Sequence, residues 1–265
     1  MSFYATEFVI DNISSLNYGI TVSSIGDSGE SSSSSGSDIS LITQKLLRRP
    51  VPFLYGVEQT PVLQFPLSFN SVNGEINAVD AYNIEKWLFG HMRYRKLQIM
   101  QPDLEGIYYN CFFTEPETQR VGNKLVGYTC TIVCDSPFAW EYERTKTYTF
   151  STPPNSFPIT FFNTSDNNYY MFPKLEITMD NIGGTAQITN VSDSSRIFLL
   201  TALAGSEVIT VNNDLQTLVS STSLLRLSHF NKKWFRMIQG KNNLLVTGNI
   251  AQIKLIYQFA RKVGG

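Results

Sequence analysis

The sequence is poor in the residues from which catalytic and metal sites are usually built. Its 265 residues include only two histidines and three cysteines, and the histidines, His91 and His229, lie far apart in the sequence. No serine lies in a Gly-x-Ser-x-Gly elbow, no histidine or cysteine pair has the spacing of a metal motif, and no glycine-rich loop precedes a helix as a phosphate cradle would. We therefore expect no catalysis by a histidine base, no cofactor and no bound metal.

Paired carboxylates are the one catalytic device that these absences leave open, because glycoside hydrolysis needs only two acidic side chains. Glu115 and Glu117 are the nearest approach to such a pair. Pro116 between them, and their position in a predicted connection between strands, indicate a solvated turn instead. We predict a protein that is not an enzyme, with a cell-wall hydrolase as the weaker hypothesis.

Charged residues are also scarce, at 16% of the sequence, against about 25% in typical domains. The surface is then rich in uncharged polar side chains, which suits either an ordinary all-β chain or one whose surface is covered in an assembly. Residues 1–140 carry nine basic and fourteen acidic side chains, and residues 141–265 carry twelve and eight. Neither part has the dense basic stripe that phosphate backbones require, so we expect no specific nucleic-acid binding.

Long apolar runs are missing as well. No segment approaches about 18 consecutive apolar residues, the length that a membrane span needs. The first ten residues lack the basic segment and apolar run of a secretory leader. These features predict a protein that is made in the cytoplasm and is not inserted into a membrane.

The three cysteines do not suit a disulfide framework. In a strand over residues 124–135, Cys130 and Cys134 point to the same side but lie about 13 Å apart, at roughly 3.3 Å per residue. That separation is too large for a disulfide or a shared metal ion. We expect buried free thiols, with Cys111 on a neighbouring strand.

The pattern of apolar residues and turn residues divides the chain into two parts near residue 140. Alternating apolar residues predict a strand over residues 124–134, and Asp135-Ser136-Pro137 ends it because proline cannot donate to a strand ladder. A new strand-like run begins at Arg144. We predict a mainly β protein, with an N-terminal antiparallel β-sandwich-like domain over residues 1–140 and a C-terminal β-sandwich over residues 141–265.

The N-terminal domain is predicted to contain one helix, over about residues 78–89, with Asn77 as its cap. Its apolar stripe should lie on the sheet, with Trp87 in the core. The basic residues that follow it are interpreted as a solvated turn: Arg93, Arg95 and Lys96. Strands are predicted over residues 3–11, 16–25, 39–48, 63–70, 97–101, 107–114 and 124–134.

A serine-rich run, GDSGESSSSSGSD, occupies residues 26–38 and contains no apolar residue that could anchor it. Such a composition is typical of a mobile loop or linker. The run is interpreted either as an exposed loop without a role or as a flexible interaction loop. Its central serines are Ser31, Ser32, Ser33, Ser34 and Ser35.

The C-terminal domain consists of short strand-like segments separated by turn residues, a rhythm typical of a sandwich or barrel. In the segment over residues 250–259, apolar side chains recur on one face, which predicts a central strand. The other predicted strands cover residues 144–150, 159–162, 169–172, 174–180, 185–191, 196–202, 207–211, 215–220, 224–227, 234–238 and 244–247.

Two stretches carry a resemblance to a known family. The closing segment, residues 230–265, contains an aromatic-basic run, the Gly240-Lys241-Asn242 turn and a last strand that ends in basic residues. The motif CDSPFAW, residues 134–140, follows a strand that comes after a helix containing a tryptophan. Both are similar to segments of siphophage distal tail proteins, and the resemblance extends in order over nearly the whole chain.

That resemblance implies a structural virion protein at the tip of a long non-contractile tail. It implies a hexameric ring whose N-terminal domains surround a channel for DNA and whose C-terminal domains are galectin-like and lie outside. The implied partners are other copies of the chain, the tail tube protein, a tail-tip hub or fibre protein and the tape measure protein. The implied location is the tail tip of the virion, after synthesis in the host cytoplasm.

The alternative function is a host-saccharide-binding module in the C-terminal sandwich. Such a site needs an exposed aromatic ring among hydrogen-bonding groups, and one cluster of the sequence offers these. Its candidate saccharide contacts are Trp234, Asn231, Arg236 and Asn242. The competing interpretation of Trp234 is a core residue of a strand.

Overall fold

A computed structural model describes residues 5–25, 39–47, 51–59 and 63–262. It separates the chain into two compact units, Met1–Glu141 with Arg261–Gly265, and Tyr142–Ala260. Both units consist mainly of antiparallel strands, so the predicted fold class is confirmed. No helix among the described residues is long and apolar enough to span a membrane.

The first unit is built on one large antiparallel sheet. Its strands and helix are β1 (Phe8–Ile10), β2 (Ile13–Ser14), β3 (Ile20–Ile25), β4 (Ile39–Gln44), β5 (Phe53–Gln59), β6 (Gln64–Ser71), α1 (Ala78–Leu88), β7 (Arg95–Ile99), β8 (Ile107–Val121), β9 (Lys124–Cys134) and β10 (Ala139–Glu141). Seven strands follow the order β2-β1-β7-β8-β9-β6-β3. The hairpin of β4 and β5 forms a separate two-stranded sheet.

The predicted helix is confirmed, with its end one residue earlier at Leu88. The Asn77 side chain accepts hydrogen bonds from the backbone N–H groups of Val79 and Asp80, which satisfies two donors that the first turn leaves free. On the inner face Ile84, Trp87 and Leu88 are buried. Aromatic rings sandwich the tryptophan, since Trp87 stacks on Phe8 and on Tyr18 with centroid distances of 5.9 and 4.3 Å. Burial of this apolar face holds the helix on the sheet.

The interpretation of Arg95 as part of a solvated turn is wrong. Arg95 begins β7 and is only 4% exposed. Its Nε donates to the Asp11 carboxylate at 2.9 Å, and its Nη1 donates to the carbonyl oxygen of Trp87. A cation at this position satisfies a carbonyl of the last helical turn and complements the helix dipole. Arg95 thus ties the β1–β2 turn to the end of α1.

Several strand boundaries differ from the prediction. The segment after β2 begins as a short 3₁₀ turn, Ser15–Tyr18, and only then becomes β3. β8 extends to Val121, so Glu115 and Glu117 lie inside a strand and not in a connection. Glu115 adopts a positive φ of 53° at a β-bulge, where the register with β9 shifts. The bulge lets the strand pass Pro116 and continue.

The cysteine prediction is confirmed. Cys111, Cys130 and Cys134 are free and buried. Cys111 lies on β8 directly opposite Cys134 on β9. Burial raises the pKa of the Cys130 thiol to about 12, and burial together with the nearby Asp135 carboxylate does the same for Cys134. These thiols therefore behave as small core side chains.

The second unit is a sandwich of two antiparallel sheets. Its strands are β11 (Arg144–Thr149), β12 (Phe157–Asn163), β13 (Lys174–Met179), β14 (Gly184–Asn190), β15 (Arg196–Leu203), β16 (Val208–Asn212), β17 (Thr217–Ser220), β18 (Gly240–Gly248) and β19 (Ile250–Tyr257). The sheets have the orders β11-β19-β13-β16-β17 and β12-β18-β14-β15. Both contribute buried side chains to one core, including Ile177 and Ile253 from the first sheet and Ile188 and Val246 from the second. The predicted central position of β19 is confirmed.

Three predicted strands of this unit are absent from the described structure. The backbones of residues 169–172 and 234–238 pair only at an isolated bridge between Met171 and Met237. Residues 224–227 lead into a 3₁₀ turn, Leu227–His229. Conversely, β18 begins at Gly240, so the predicted turn over residues 240–242 is the start of a strand.

Candidate assembly surface and ligand cavity

The β4–β5 hairpin carries a large exposed apolar surface. We call its described residues, 39–47 and 51–59, the arm. The two strands of the arm pair antiparallel from Ile39 opposite Gln59 to Gln44 opposite Phe53. Its exposed apolar side chains are Leu41, Ile42, Leu46, Leu47, Val51, Phe53, Leu54 and Tyr55. The sequence pattern predicts the first strand of the arm but not the second.

Both faces of the arm are apolar. Leu41 and Ile42 are consecutive residues, so their side chains point to opposite faces, yet they are 61% and 51% exposed. Across the hairpin, Leu54 is 60% exposed. A two-stranded hairpin is at best marginally stable alone in water, and large exposed apolar patches mark surfaces for interaction with other molecules. The arm is therefore the candidate assembly surface.

The serine-rich run and the arm are neighbours in the sequence. Ser31–Ser35, which we predicted to form a flexible interaction loop, lie outside the described residues, so that prediction stays open. The described arm begins immediately after the run, at Ile39.

Three of the four predicted saccharide contacts of the second unit make hydrogen bonds within the protein. The Asn231 side chain is committed to the backbone, because it accepts from the N–H groups of Leu199 and Lys233 at 3.3 and 3.2 Å and donates to the Ile197 carbonyl at 2.8 Å. These bonds attach the loop that follows Phe230 to β15. Asn231 thus positions that loop.

The side chains of Arg236 and Asn242 also bond to other groups of the protein. The Arg236 guanidinium donates to the Asp193 carboxylate at 2.7 and 3.1 Å and lies 3.7 Å from the centroid of the Tyr170 ring. Asn242 is fully buried, and its side chain bonds to Asn190 and to the backbone of Ile238. Its amide thus completes the internal hydrogen bonds at the start of β18 and is not exposed at the surface.

Trp234 is placed differently from the other three. Its ring is half-buried against the core and makes an edge contact with Phe230 at a centroid distance of 4.7 Å. The remaining part of the side chain lines a surface cavity of about 630 Å³. The other lining residues are Gln216, Leu227, Ser228 and Lys232. Trp234 is thus both a core contact and a cavity wall.

A buried ion pair fixes the segment that forms one side of this cavity. Arg226 donates through Nε and Nη2 to both carboxylate oxygens of Glu207, at 2.8 and 2.6 Å. Burial raises the pKa of Glu207, but hydrogen bonds from Arg226, Ser220 and the backbone N–H of Ala204 outweigh it, and the pKa falls to about 2. A two-point contact of this kind fixes the direction in which the chain enters Leu227.

Four of the five cavity residues were missed from the sequence: Gln216, Leu227, Ser228 and Lys232. Lys232 could have been found, because it lies two residues before Trp234 in a loop without regular structure. Gln216 and Ser228 come from two other segments, and only the fold brings them to the same place.

Family models match almost the entire chain. A model described as a phage tail protein N-terminal domain matches residues 3–136, and one described as a phage tail C-terminal domain matches residues 138–257. The chain therefore belongs to the family of phage tail proteins that these two domains define. No curated protein sequence matches it.

Solved structures share the fold of this chain over nearly its whole length. The chain is similar to the Dit protein (gp 19.1) of phage SPP1, described as a paradigm of the hub adsorption apparatus in phages that infect Gram-positive bacteria. The TM-score is 0.69 and the identity 12%, over 96% of this chain and 98% of that chain. A chain of the phage P2 baseplate, in its activated conformation with Ca, matches with a TM-score of 0.55 and 9% identity over 97% and 98% of the two chains. A chain of the same baseplate in its Sr form matches with a TM-score of 0.56 and 9% identity, over 95% of this chain and 97% of that chain. Because these sequence identities are low, the likeness establishes the fold alone. The predicted resemblance to siphophage distal tail proteins is confirmed for the fold.

Proposed function

We propose that this phage tail protein forms a hexameric ring at the distal end of a long non-contractile tail. The ring joins the tail tube to the adsorption proteins of the tip and leaves a channel for DNA. The role is structural and not enzymatic. Its partners are other copies of the chain, the tail tube protein, a tip hub or fibre protein and the tape measure protein.

The uncovered arm is the observation that supports this proposal. A monomer would expose the apolar side chains of the arm to water on both faces, at a cost of about 25 cal/mol for each Å² left uncovered. Head-to-tail contact between identical chains buries one arm per copy against the next copy and closes when the rotation between copies completes a circle. The N-terminal domain, residues 1–140, then carries the ring contacts.

Charge supports a channel formed by the same domain. Residues 1–140 carry nine basic against fourteen acidic side chains. A passage for DNA must not hold the phosphate backbone, and a wall with excess negative charge does not bind it. The C-terminal domain, residues 141–265, is then the outer, galectin-like part of the ring.

The ring is tested by measuring the mass of the purified full chain with light scattering and then imaging it in negative stain. We expect wild-type protein to form hexameric rings. Leu41→Asp combined with Leu54→Asp should give monomers with an unchanged circular dichroism spectrum, because both side chains are exposed in the monomer and ionised side chains do not enter an apolar interface.

A matched control replaces two exposed apolar residues of the second unit, Ile182→Asp with Val191→Asp. Both side chains are exposed, and neither lies on the arm, so the control should keep the ring. A chain that stays monomeric at every concentration and inside the virion contradicts the ring itself. Rings that survive the arm substitutions contradict the role of the arm.

A further inference from the structure

A group of leucine side chains is exposed where the second unit passes from the β16–β17 hairpin into the loop that follows it. We call these residues the leucine patch: Leu215, Leu224, Leu225 and Leu227. All four are exposed, and Leu225 is 89% exposed. Leu227 lines the same cavity as Gln216, the residue after Leu215, so the hairpin and the loop present these side chains close together. Single apolar residues are ordinary on a surface, but a cluster is typical of an interaction site.

The loop that carries three of these leucines is fixed from the inside. Arg226 lies between Leu225 and Leu227 in the sequence, and its guanidinium is buried against the carboxylate of Glu207. Its Nη1 also donates to the carbonyl oxygen of Ala202 at 3.1 Å. A two-point pair of this kind fixes the direction of the chain, and the leucines on either side of the arginine remain at the surface. The fold itself therefore exposes these leucines, which costs free energy until another molecule covers them.

Hydrogen bonds also fix both ends of this loop. At its start, the Ser220 hydroxyl accepts from the backbone N–H of Thr222 at 3.0 Å, and the Ser220 carbonyl accepts from the N–H of Ser223 at 3.1 Å. At its end, the N–H of His229 donates to the Arg226 carbonyl at 3.0 Å. A loop fixed in this way loses little conformational freedom when a partner binds, which lowers the entropic cost of association.

The charge beside the leucine patch is positive. Residues 215–265 contain eight lysines and arginines but neither aspartate nor glutamate. The arginines nearest the patch pair with carboxylates from earlier segments, so the remaining charge is that of Lys232, which lines the cavity, and of its exposed neighbour Lys233. Asp214, which directly precedes Leu215, reduces this charge but does not reverse it. A partner with carboxylates around an apolar centre matches the pattern, whereas a second leucine patch would bring charges of the same sign together.

We infer that the leucine patch, with Lys232 and Lys233 at its border, binds an apolar segment of another tail protein that carries carboxylate side chains. The leucines pack against the apolar centre of that segment, and the two ammonium groups pair with its carboxylates. A protein is favoured over an anionic membrane because phage tail domains make up almost the entire chain, and a tail protein is surrounded by other tail proteins. That the partner is a protein of the tail tip rests on the proposed function.

Cysteine labelling tests whether the leucine patch is covered in the virion. Leu225→Cys places a thiol at the most exposed position of the patch, and the natural cysteines are buried, so they contribute little background. A maleimide should label this thiol at least about tenfold more slowly in the intact virion than in the purified chain, because labelling requires access to the thiol. Equal rates in the two samples overturn the inference.

Ile182→Cys is the matched control, because Ile182 is also exposed in the second unit but lies outside the patch. Its labelling rate should be similar in the chain and in the virion. Equal protection of both positions would mean general crowding and would overturn the inference.

The same labelling separates another protein from a second copy of this chain. Protection of Leu225→Cys in the purified protein, increasing with protein concentration, would mean that another copy covers the patch and would overturn the inference. A purified chain that stays monomeric contradicts the proposed ring, but the comparison with the virion is unchanged. The two proposals can therefore fail separately.

Carbodiimide cross-linking of intact virions tests the chemistry of the partner, because this reagent joins an ammonium to a carboxylate that lies against it. Mass spectrometry should identify Lys232 or Lys233 joined to an aspartate or glutamate of a different tail protein. Links to other copies of this chain alone, or no link from either lysine, overturn the inference. Sedimentation of the full chain with phosphatidylserine vesicles, in the absence of such links, would assign the patch to a membrane instead.

Discussion

The two units of this chain stabilise themselves in different ways. The second closes two sheets over one core and buries a complete ion pair, Glu207 with Arg226, within its own structure. The first packs a helix on a sheet but leaves most apolar side chains of the arm exposed to solvent. The comparison separates apolar surface that is buried within one copy of the chain from apolar surface that the proposed ring would bury.

The same contrast holds for their charges. In the first unit, Arg95 joins a turn and a helix end through a carboxylate, Asp11, that remains partly exposed. In the second unit, both members of the Glu207–Arg226 pair are shielded from water. Removal of one partner should therefore lower the stability of the second unit more than that of the first.

The largest effect is expected from Glu207→Gln. The substitution leaves the buried Arg226 cation without a counter-charge, and breaking such a pair costs about 3–5 kcal/mol. Differential scanning calorimetry should record a lower melting temperature. Glu176→Gln is the control, because Glu176 pairs with Lys254 at 2.6 Å but both side chains are about one-third exposed, and exposed pairs contribute less than about 1 kcal/mol. Equal effects of the two substitutions would refute the ranking.

A smaller loss is expected from Arg95→Met in the first unit. The variant keeps an apolar stem of similar length but removes the donors to Asp11 and to the Trp87 carbonyl. The free energy of unfolding should fall by about 1.5–3 kcal/mol. Arg93→Met provides the comparison, since Arg93 reaches the same carboxylate at 3.2 Å with its side chain 69% exposed. For Arg93→Met we expect almost no change in the free energy of unfolding. Urea denaturation of both variants measures the difference in free energy of unfolding.

Acidification should weaken the second unit through Glu207. Its pKa in the folded protein is about 2, below the ordinary value of 4.5. The folded state therefore binds this proton less readily than the unfolded chain does, and the stabilisation is complete above pH 4.5 and lost as the pH falls towards 2. Melting temperatures measured across this interval should fall for the wild type and fall less steeply for Glu207→Gln. Parallel curves would mean that other carboxyl groups control acid unfolding.

Features that depend on local pattern could be predicted from the sequence. The helix was visible because a cap, an apolar stripe and a terminating glycine follow one another within about four turns. β5 was missed for an equally physical reason. Strand prediction relies on one polar face, and Phe53 and Leu54 are both apolar because the arm exposes apolar side chains on both sides.

Features that depend on distant partners could not be predicted. Arg95 resembled a surface residue because its acceptor, Asp11, lies 84 positions earlier in the chain. Asn242 resembled a ligand contact because asparagine is usually exposed, whereas here Asn190 from another strand meets it in the interior. The sequence indicated Trp234 as a site residue but not its neighbours, since Gln216 reaches the cavity from the β16–β17 hairpin.

The smallest effect is expected at α1 of the first unit. A substitution at its cap tests whether that unit gains stability from neighbouring copies in the proposed ring. Asn77→Ala removes the side chain that accepts from two backbone N–H groups of the first turn, at 3.0 and 2.9 Å. Loss of such a cap costs about 1 kcal/mol, and Asn77→Ser should recover most of it because serine also accepts at this position. We expect the decrease in melting temperature to be larger in the monomeric arm variant, Leu41→Asp with Leu54→Asp, than in the ring, where contacts between copies contribute to stability. An identical decrease in both backgrounds would mean that the first unit gains no stability from assembly.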